Sequence, residues 1–198
     1  MRKLFLFCAV LSTVIFSQNY SLQFDGDDDM VYLDMDPDFS LGQEGFAINL
    51  WFKFDILSTH QTILGTPASC GYGANFNHSG TGRMTYWLNS GAGCATGWDI
   101  FSGQFQHEGA ALGTKTDWES DRWYMLTATK SGSTYSFYID GELDYSHTGQ
   151  VSQHALDITL GSYSSGTSEE FEGNIDHMHI YQRNLSQDEI NSLYNKEF

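Results

Sequence analysis

Proline is nearly absent, at 2 of 198 residues, and positive charge is scarce: 9 Lys and Arg stand against 25 Asp and Glu, a formal charge of −16. A field of that sign repels phosphate backbones and anionic lipid, which excludes nucleic acid as a partner. No uncharged apolar run reaches the ~20 residues that a bilayer-spanning helix needs. The longest, Leu4 to Phe16, has 13. Charged residues make up only 17% of the chain while hydrophobic ones make up 40%, so the signature of disorder is missing as well. What is abundant is 20 Gly, 14 Phe and 11 Tyr. That usage belongs to many strands joined by tight turns, in a chain long enough for one core.

Arg2 and Lys3 precede the apolar run, and small polar residues Ser17, Gln18 and Asn19 follow it. This is the arrangement of a secretory signal, so residues 1–18 are expected to be a leader and 19–198 the exported domain, extracellular or periplasmic. Removing Arg2 and Lys3 leaves 7 basic against 25 acidic residues, a net charge of −18. Two cysteines then remain, Cys70 and Cys94, each in a Gly-rich stretch on either side of RMTYWLN. An even pair in an exported chain predicts one disulfide, closing a loop of about 25 residues and worth roughly 3 kcal/mol in the chain-entropy account.

Short alternating segments recur between turn signals: SLQF, MVYL, FAINLWFKF, QTILG, RMTYWLN, WYMLTATK, STYSFYID, LDITLG and MHIYQR. This spacing predicts an all-β sandwich. In FAINLWFKF, Phe46, Ile48, Leu50, Phe52 and Phe54 share the core face, while Ala47, Asn49, Trp51 and Lys53 share the other. Asp140-Gly141 predicts a type I′ hairpin, because both residues tolerate positive φ. The stretches Gly65 to Gly82 and Gly91 to Lys115 read as long loops. One helix is predicted, at the end: Ser186 as N-cap, Glu189 three residues on as in a capping box, and Ile190, Leu193 and Tyr194 as an apolar stripe.

Taken in order, SLQFDGDDDMVYL, FAINLWFKF, WYMLTATKSGSTYSFYIDGEL, LDITLGS and FEGNIDHMHIYQRNLSQDEINSLY resemble the laminin G-like, concanavalin A-like domains of secreted bacterial proteins, over about Ser21 to Tyr194. The resemblance implies a jelly roll of two antiparallel sheets with a short C-terminal helix, often with Ca²⁺ near the paired chain ends. It does not fix a function, since the fold hosts lectins, adhesion modules, enzymes and spacers.

The acidic run Asp25-Gly26-Asp27-Asp28-Asp29 gathers the hard oxygen donors around a glycine turn that Ca²⁺ selects. The bland alternative is a solvated turn. By the resemblance, the late FEGNID block lies beside the first block, so Asp25, Asp28 and Asp176 are the expected ligands. His177 and His179, one residue apart, offer only two ligands and read as a solvent-facing pair. For sugar binding the candidates are aromatics that stack on pyranose faces, Trp51, Trp87 and Trp98 with Asp99 beside it, and also Tyr72 and Tyr86. Any of these is equally at home in a core.

Catalytic motifs fail in turn. His107-Glu108 has Ala111 where a metalloprotease needs its second His, and no G-x-S-x-G elbow or phosphate loop occurs. The three alternating acids of retaining glycosidases on this fold are missing too, since Glu170-Phe171-Glu172 stops at two. The expected function is therefore a non-catalytic secreted module that recognises a carbohydrate or cell-surface protein, with a structural Ca²⁺. The alternatives are a polysaccharide-cleaving enzyme of the same fold and an envelope adhesion or structural protein without glycan specificity.

Overall fold

The computed structural model describes residues 20–33, 45–65, 72–77, 80–88, 112–148, 158–162 and 169–196. In chain order the elements are β1 (Leu22–Asp25), β2 (Val31–Leu33), β3 (Gly45–Phe54), β4 (Gln61–Gly65), β5 (Tyr72–Phe76), β6 (Met84–Leu88), β7 (Trp123–Ser131), β8 (Thr134–Ile139), β9 (Glu142–Thr148), β10 (Ile158–Leu160), β11 (Glu172–Tyr181) and the helix α1 (Gln187–Tyr194). They form two antiparallel sheets, one ordered β1-β11-β3-β7-β8-β9 and the other β2-β10-β4-β5-β6. The all-β sandwich read from the sequence is the observed architecture.

The period-two pattern decides which face of each strand is inside. Phe46, Ile48, Leu50, Phe52 and Phe54 of β3 all enter the core between the sheets, meeting Ile63 and Leu64 of β4, Ala74 and Phe76 of β5, and Met84 and Tyr86 of β6. Aromatic rings dominate that contact: Phe54 packs on Phe76 with centroids 4.5 Å apart and edge-on to Phe171 at 5.8 Å, and Tyr86 stacks on Phe137 at 4.3 Å. Each such ring, fully buried, stabilises the fold by about 1.5–3 kcal/mol. The opposite face of β3 is also covered. Ala47 and Trp51 join Met125 of β7 under Leu185 and Ile190, so α1 closes a second, smaller core on the outside of the larger sheet.

Local turn chemistry agrees with this layout. Asp140 and Gly141 both adopt positive φ, at 54° and 83°, turning β8 into β9. Ser186 caps α1, and its side chain and that of Glu189 bond each other's backbone amides. The Arg183 guanidinium, foremost, then the Ser186 bonds hold the exposed Glu189 carboxyl down at about 2. One expectation fails: within the Gly-rich stretch read as a loop, β5 pairs with both β4 and β6 and is an interior strand of the smaller sheet. Its sequence YGANF lacks β-branched residues, so neighbouring strands rather than its own propensity make it a strand.

Candidate functional site

Two places on this frame gather polar groups. The first is the turn after β1. Gly26 sits at φ +80, and the acids around it fold back on the backbone: the Asp25 amide donates to Asp29 Oδ2 at 3.0 Å, and the Asp27 amide to Asp25 Oδ1 at 3.0 Å. One carboxylate oxygen from each of Asp25, Asp28 and Asp29 falls within 4.8 Å of the others. Asp25 pairs across the sheet with Glu172, whose side chain overhangs the turn: a Cβ on Gly26 would lie 3.3 Å from Glu172 Oε2. This is an all-oxygen, strongly negative donor set, the kind that fits a hard divalent cation.

Asp176 does not join it. Ile175 pairs with Leu22, so Asp176 lies four residues from Glu172, about 13 Å along the strand at ~3.3 Å per residue. Its carboxylate is instead taken by its neighbour, accepting from the His177 amide at 2.7 Å and lying 3.3 Å from His177 Nδ1. His177 stands at φ +47 in the bulge that interrupts β11 pairing between Asp176 and His179. Asp176, expected beside Asp25 and Asp28, therefore lies away from that turn, where Asp29 and Glu172 stand instead.

The second place is the outer face of the smaller sheet. Core residues Ile63, Ala74, Phe76, Met84 and Tyr86 point inward, which leaves Thr62, Asn75 and Thr85 facing away from them in one row across β4, β5 and β6. Thr62 is fully buried, Asn75 is 3% exposed and Thr85 5%. Glu169 lies over this row. Its Oε2 accepts from Thr62 Oγ1 at 3.2 Å and Asn75 Nδ2 at 2.9 Å, and is 3.5 Å from His60 Nε2. The side chains of His60 and Glu169 are about a quarter exposed, at 25% and 28%, so they form the rim of an otherwise covered polar row. Burial, first, then the nearby Glu170 charge push the Glu169 carboxyl above the usual carboxylate range, against the pull of its bonds from Thr62 and Asn75.

Two details mark this row. Thr85 Oγ1 is buried and has no hydrogen-bond partner among the described residues, and such groups are uncommon because each costs about 1–3 kcal/mol when left unpaired. Glu169 also holds a left-handed φ of +63. Asp and Asn adopt that region readily, whereas a Glu there is strained by roughly 1–3 kcal/mol, which the bonds of its carboxylate and of its carbonyl, an acceptor from the Thr62 amide at 2.7 Å, offset.

The aromatic candidates separate. Trp51 is 3% exposed and stacks on Tyr194 of α1, with centroids 5.7 Å apart and planes 15° from parallel. It is a core residue, and the expectation that it meets a ligand is corrected: the helix occupies that face. Tyr86 is fully buried and donates to Asp144 Oδ2 at 2.6 Å. Trp87 lies on β6 opposite Gly73, two residues from Thr85, and Tyr72 lies on β5 opposite Leu88. Trp98, Asp99, Cys70, Cys94, His107 and Glu108 fall outside the described residues.

A model of the concanavalin A-like lectin/glucanases superfamily matches residues 25–191. The chain belongs to that superfamily. Among solved structures, the ligand-binding domain of botulinum neurotoxin serotype D in complex with N-acetylneuraminic acid superposes with a TM-score of 0.64 at 18% identity, over 89% of this chain and 42% of that one. The serotype D binding domain in another crystal structure gives 0.65 at 18%, over 89% and 43%. Trypanosoma rangeli sialidase in complex with the inhibitor DANA gives 0.61 at 16%, over 88% and 27%. The chain thus spans less than half of each of these proteins, and at such identities the likeness is one of fold. No curated protein sequence is similar enough to count as a relative.

Within the superfamily's sandwich, sequence reasoning found the acidic turn and missed the polar row. Nothing local announces His60, Thr62, Asn75, Thr85 and Glu169: Thr62 and Glu169 are 107 residues apart and meet only through sheet topology.

Proposed function

We propose that the protein is a secreted, non-catalytic carbohydrate-binding module whose ligand lies against the outer face of the smaller sheet, at the rim formed by His60 and Glu169, with Ca²⁺ as a structural ion at the Asp25–Asp29 turn. The observation that carries the reading is the His60–Glu169 pair, about a quarter exposed above a row of hydroxyl and amide groups, the side-chain chemistry that pairs with sugar hydroxyls. The stacking candidates remain those read from the sequence, Trp87 on β6 and Trp98 with Asp99, the last two outside the described residues. The superfamily hosts both binding modules and enzymes, and the botulinum serotype D domain in complex with N-acetylneuraminic acid is consistent with a sugar-binding role.

A binding rather than cleaving role is supported by how the late acids disperse. Glu169 is committed to Thr62 and Asn75, Phe171 is fully buried, and Glu172 faces the acidic turn, so the run Glu169 to Glu172 presents no carboxylate pair across a common cleft. Among the described residues no helix is long and apolar enough to cross a membrane. Screening the protein against a glycan array, with Thr85→Val and Asn75→Ala alongside, tests the reading. Binding that both variants weaken supports it, and a blank array with a folded protein refutes it.

A further inference from the structure

We propose that the cleft between α1 and the end of β11 is a second carbohydrate site, on the opposite side of the sandwich from the His60–Glu169 rim. It stands on different residues from that rim, so either site can fail without the other.

The helix lies on the outer face of the larger sheet, over Ala47, Trp51 and Met125. Between it and the chain leaving β11 a cleft of about 340 Å³ remains, at the lower end of the ~300–1,000 Å³ range of small-ligand pockets. Leu185, Leu193 and Tyr181 give it an apolar lining. Tyr181 pairs with Ala47 and packs against the second core, and His179 stacks on its ring with centroids 6.3 Å apart and planes 29° from parallel. The lining therefore includes a flat aromatic surface held in place, the kind of group on which the apolar face of a pyranose rests.

The walls are fixed before any ligand arrives. Arg183 clamps Glu189 with bonds of 3.1 and 2.7 Å, Glu189 also accepts from the Ser186 amide and hydroxyl, and the Leu185 amide donates to Thr129 Oγ1 at 3.3 Å. A site already in shape loses less order on binding. Two charged groups of the lining are left over. Neither the Asp188 carboxylate nor the Lys196 ammonium has an ion pair or a side-chain hydrogen bond among the described residues.

These leftovers point to the ligand. Asp188 and Ser192 lie one turn apart on α1, ~6 Å along its axis, and Lys196 follows two residues past its end. The cleft thus offers an acceptor, a hydroxyl and a donor in succession. A hydroxyl can give a proton to the first and accept one from the last, and a sugar carries hydroxyls for each. The lining holds two positive groups, Arg183 and Lys196, and two negative ones, Asp188 and Glu189, in a chain whose formal charge is −16. A ligand with a net charge is drawn by one pair and repelled by the other, so the cleft matches a neutral, polyhydroxylated ligand.

The test is an amide NMR titration of the purified protein with cello-, xylo-, manno- and galactotriose, and with triglycine as a zwitterionic peptide control. At least one trisaccharide should shift amides between Tyr181 and Lys196. Ser192 is exposed, so Ser192→Arg should keep the wild-type melting temperature while its side chain fills the cleft and reaches Asp188. It should weaken the cleft response by about tenfold or more in Kd, and Asn75→Ala should leave that response unchanged. Shifts confined to the amides around His60, Asn75 and Glu169 overturn the second site and leave the carbohydrate reading standing, whereas shifts confined to the cleft uphold it and refute the rim. Cleft binding that a folded Ser192→Arg leaves unchanged overturns the proposal, as does a cleft that answers to triglycine and to no sugar. A protein that responds to no sugar removes both sites.

Discussion

Asp144 is the side chain whose loss should do most damage for its size. It lies on β9 where the β8–β9 register shifts, is 4% exposed, and accepts four hydrogen bonds: from Tyr86 Oη at 2.6 Å, the Thr114 amide at 2.7 Å, Thr114 Oγ1 at 3.1 Å and the Lys115 amide at 2.7 Å. A Cβ on Gly113 would collide with its carboxylate, so the chain passes as close as a residue without a side chain allows. The Tyr86 phenol is fully buried, and its pKa is driven well above its ordinary value by that burial first, then by the Asp144 charge and bond. Asp144→Ala leaves at least that phenol and the Lys115 amide without an acceptor. Thr114, being exposed, recovers water.

At about 1–3 kcal/mol for each buried donor left unpaired, the substitution should cost about 3–5 kcal/mol, a large part of the ~5–15 kcal/mol that holds a domain together. Tyr86→Phe removes one bond and leaves the buried Asp144 Oδ2 without its donor, so about 1–3 kcal/mol is expected. The double variant should then be less destabilised than the two losses added, because both remove the same bond. Urea unfolding gives each value from the shift in midpoint at constant m. The damage also reaches the polar row: Asp144 anchors the segment in which Leu112 bridges to Thr85 and the Gly113 amide donates to the Met84 carbonyl. A loss under 1 kcal/mol for Asp144→Ala, or strict additivity with Tyr86→Phe, would refute the reasoning.

Calcium at a hundredfold over its Kd should stabilise the fold by about 2.7 kcal/mol, read as a melting shift that equal ionic strength of sodium does not reproduce. Asp29→Asn should abolish that shift and Asp176→Asn should leave it, and the reverse result would restore the sequence-derived ligand set. Tyr194→Ala removes the ring stacked on Trp51 and should lower stability by about 1–3 kcal/mol with increased quenching of tryptophan fluorescence; lost glycan binding at an unchanged melting temperature would instead put Trp51 at the ligand. Because the folded Glu169 pKa is raised above 4.5, the folded state binds more protons there, and stability is lost as pH rises from about 4.5 through the raised value. Melting curves of wild type and Glu169→Gln should therefore diverge across that window, the wild type falling relative to the variant, and parallel curves would contradict the burial. Intact mass of the unreduced exported protein should be two hydrogens below the dithiol, with Cys70 and Cys94 resistant to alkylation until reduction.

The fold was legible because period-two burial is written residue by residue. In β3 the alternation of Phe46 to Phe54 with Ala47 to Lys53 needs no partner strand to be read, and Ser186, Glu189, Asp140 and Gly141 carry their turn chemistry within a few positions. What was not legible depends on register or on layer order. A shift of four residues in the pairing of β1 with β11 exchanges Asp176 for Glu172 beside the acidic turn, and no side-chain pattern in either strand encodes that offset. The second case is Trp51. Its place opposite the Phe row suggested an open face, yet the same sequence carries the cover for it in Ile190, Leu193 and Tyr194. An apolar side chain on the outer face and an apolar stripe on a terminal helix are two unmatched surfaces, and burying one against the other removes both from water. By that logic the outer face of the smaller sheet is the informative one. Thr62, Asn75 and Thr85 offer no apolar patch for a helix to cover, and burial there comes with a strained Glu and an orphaned hydroxyl. Packing gains nothing from either feature, which is why the proposed ligand is placed at this face.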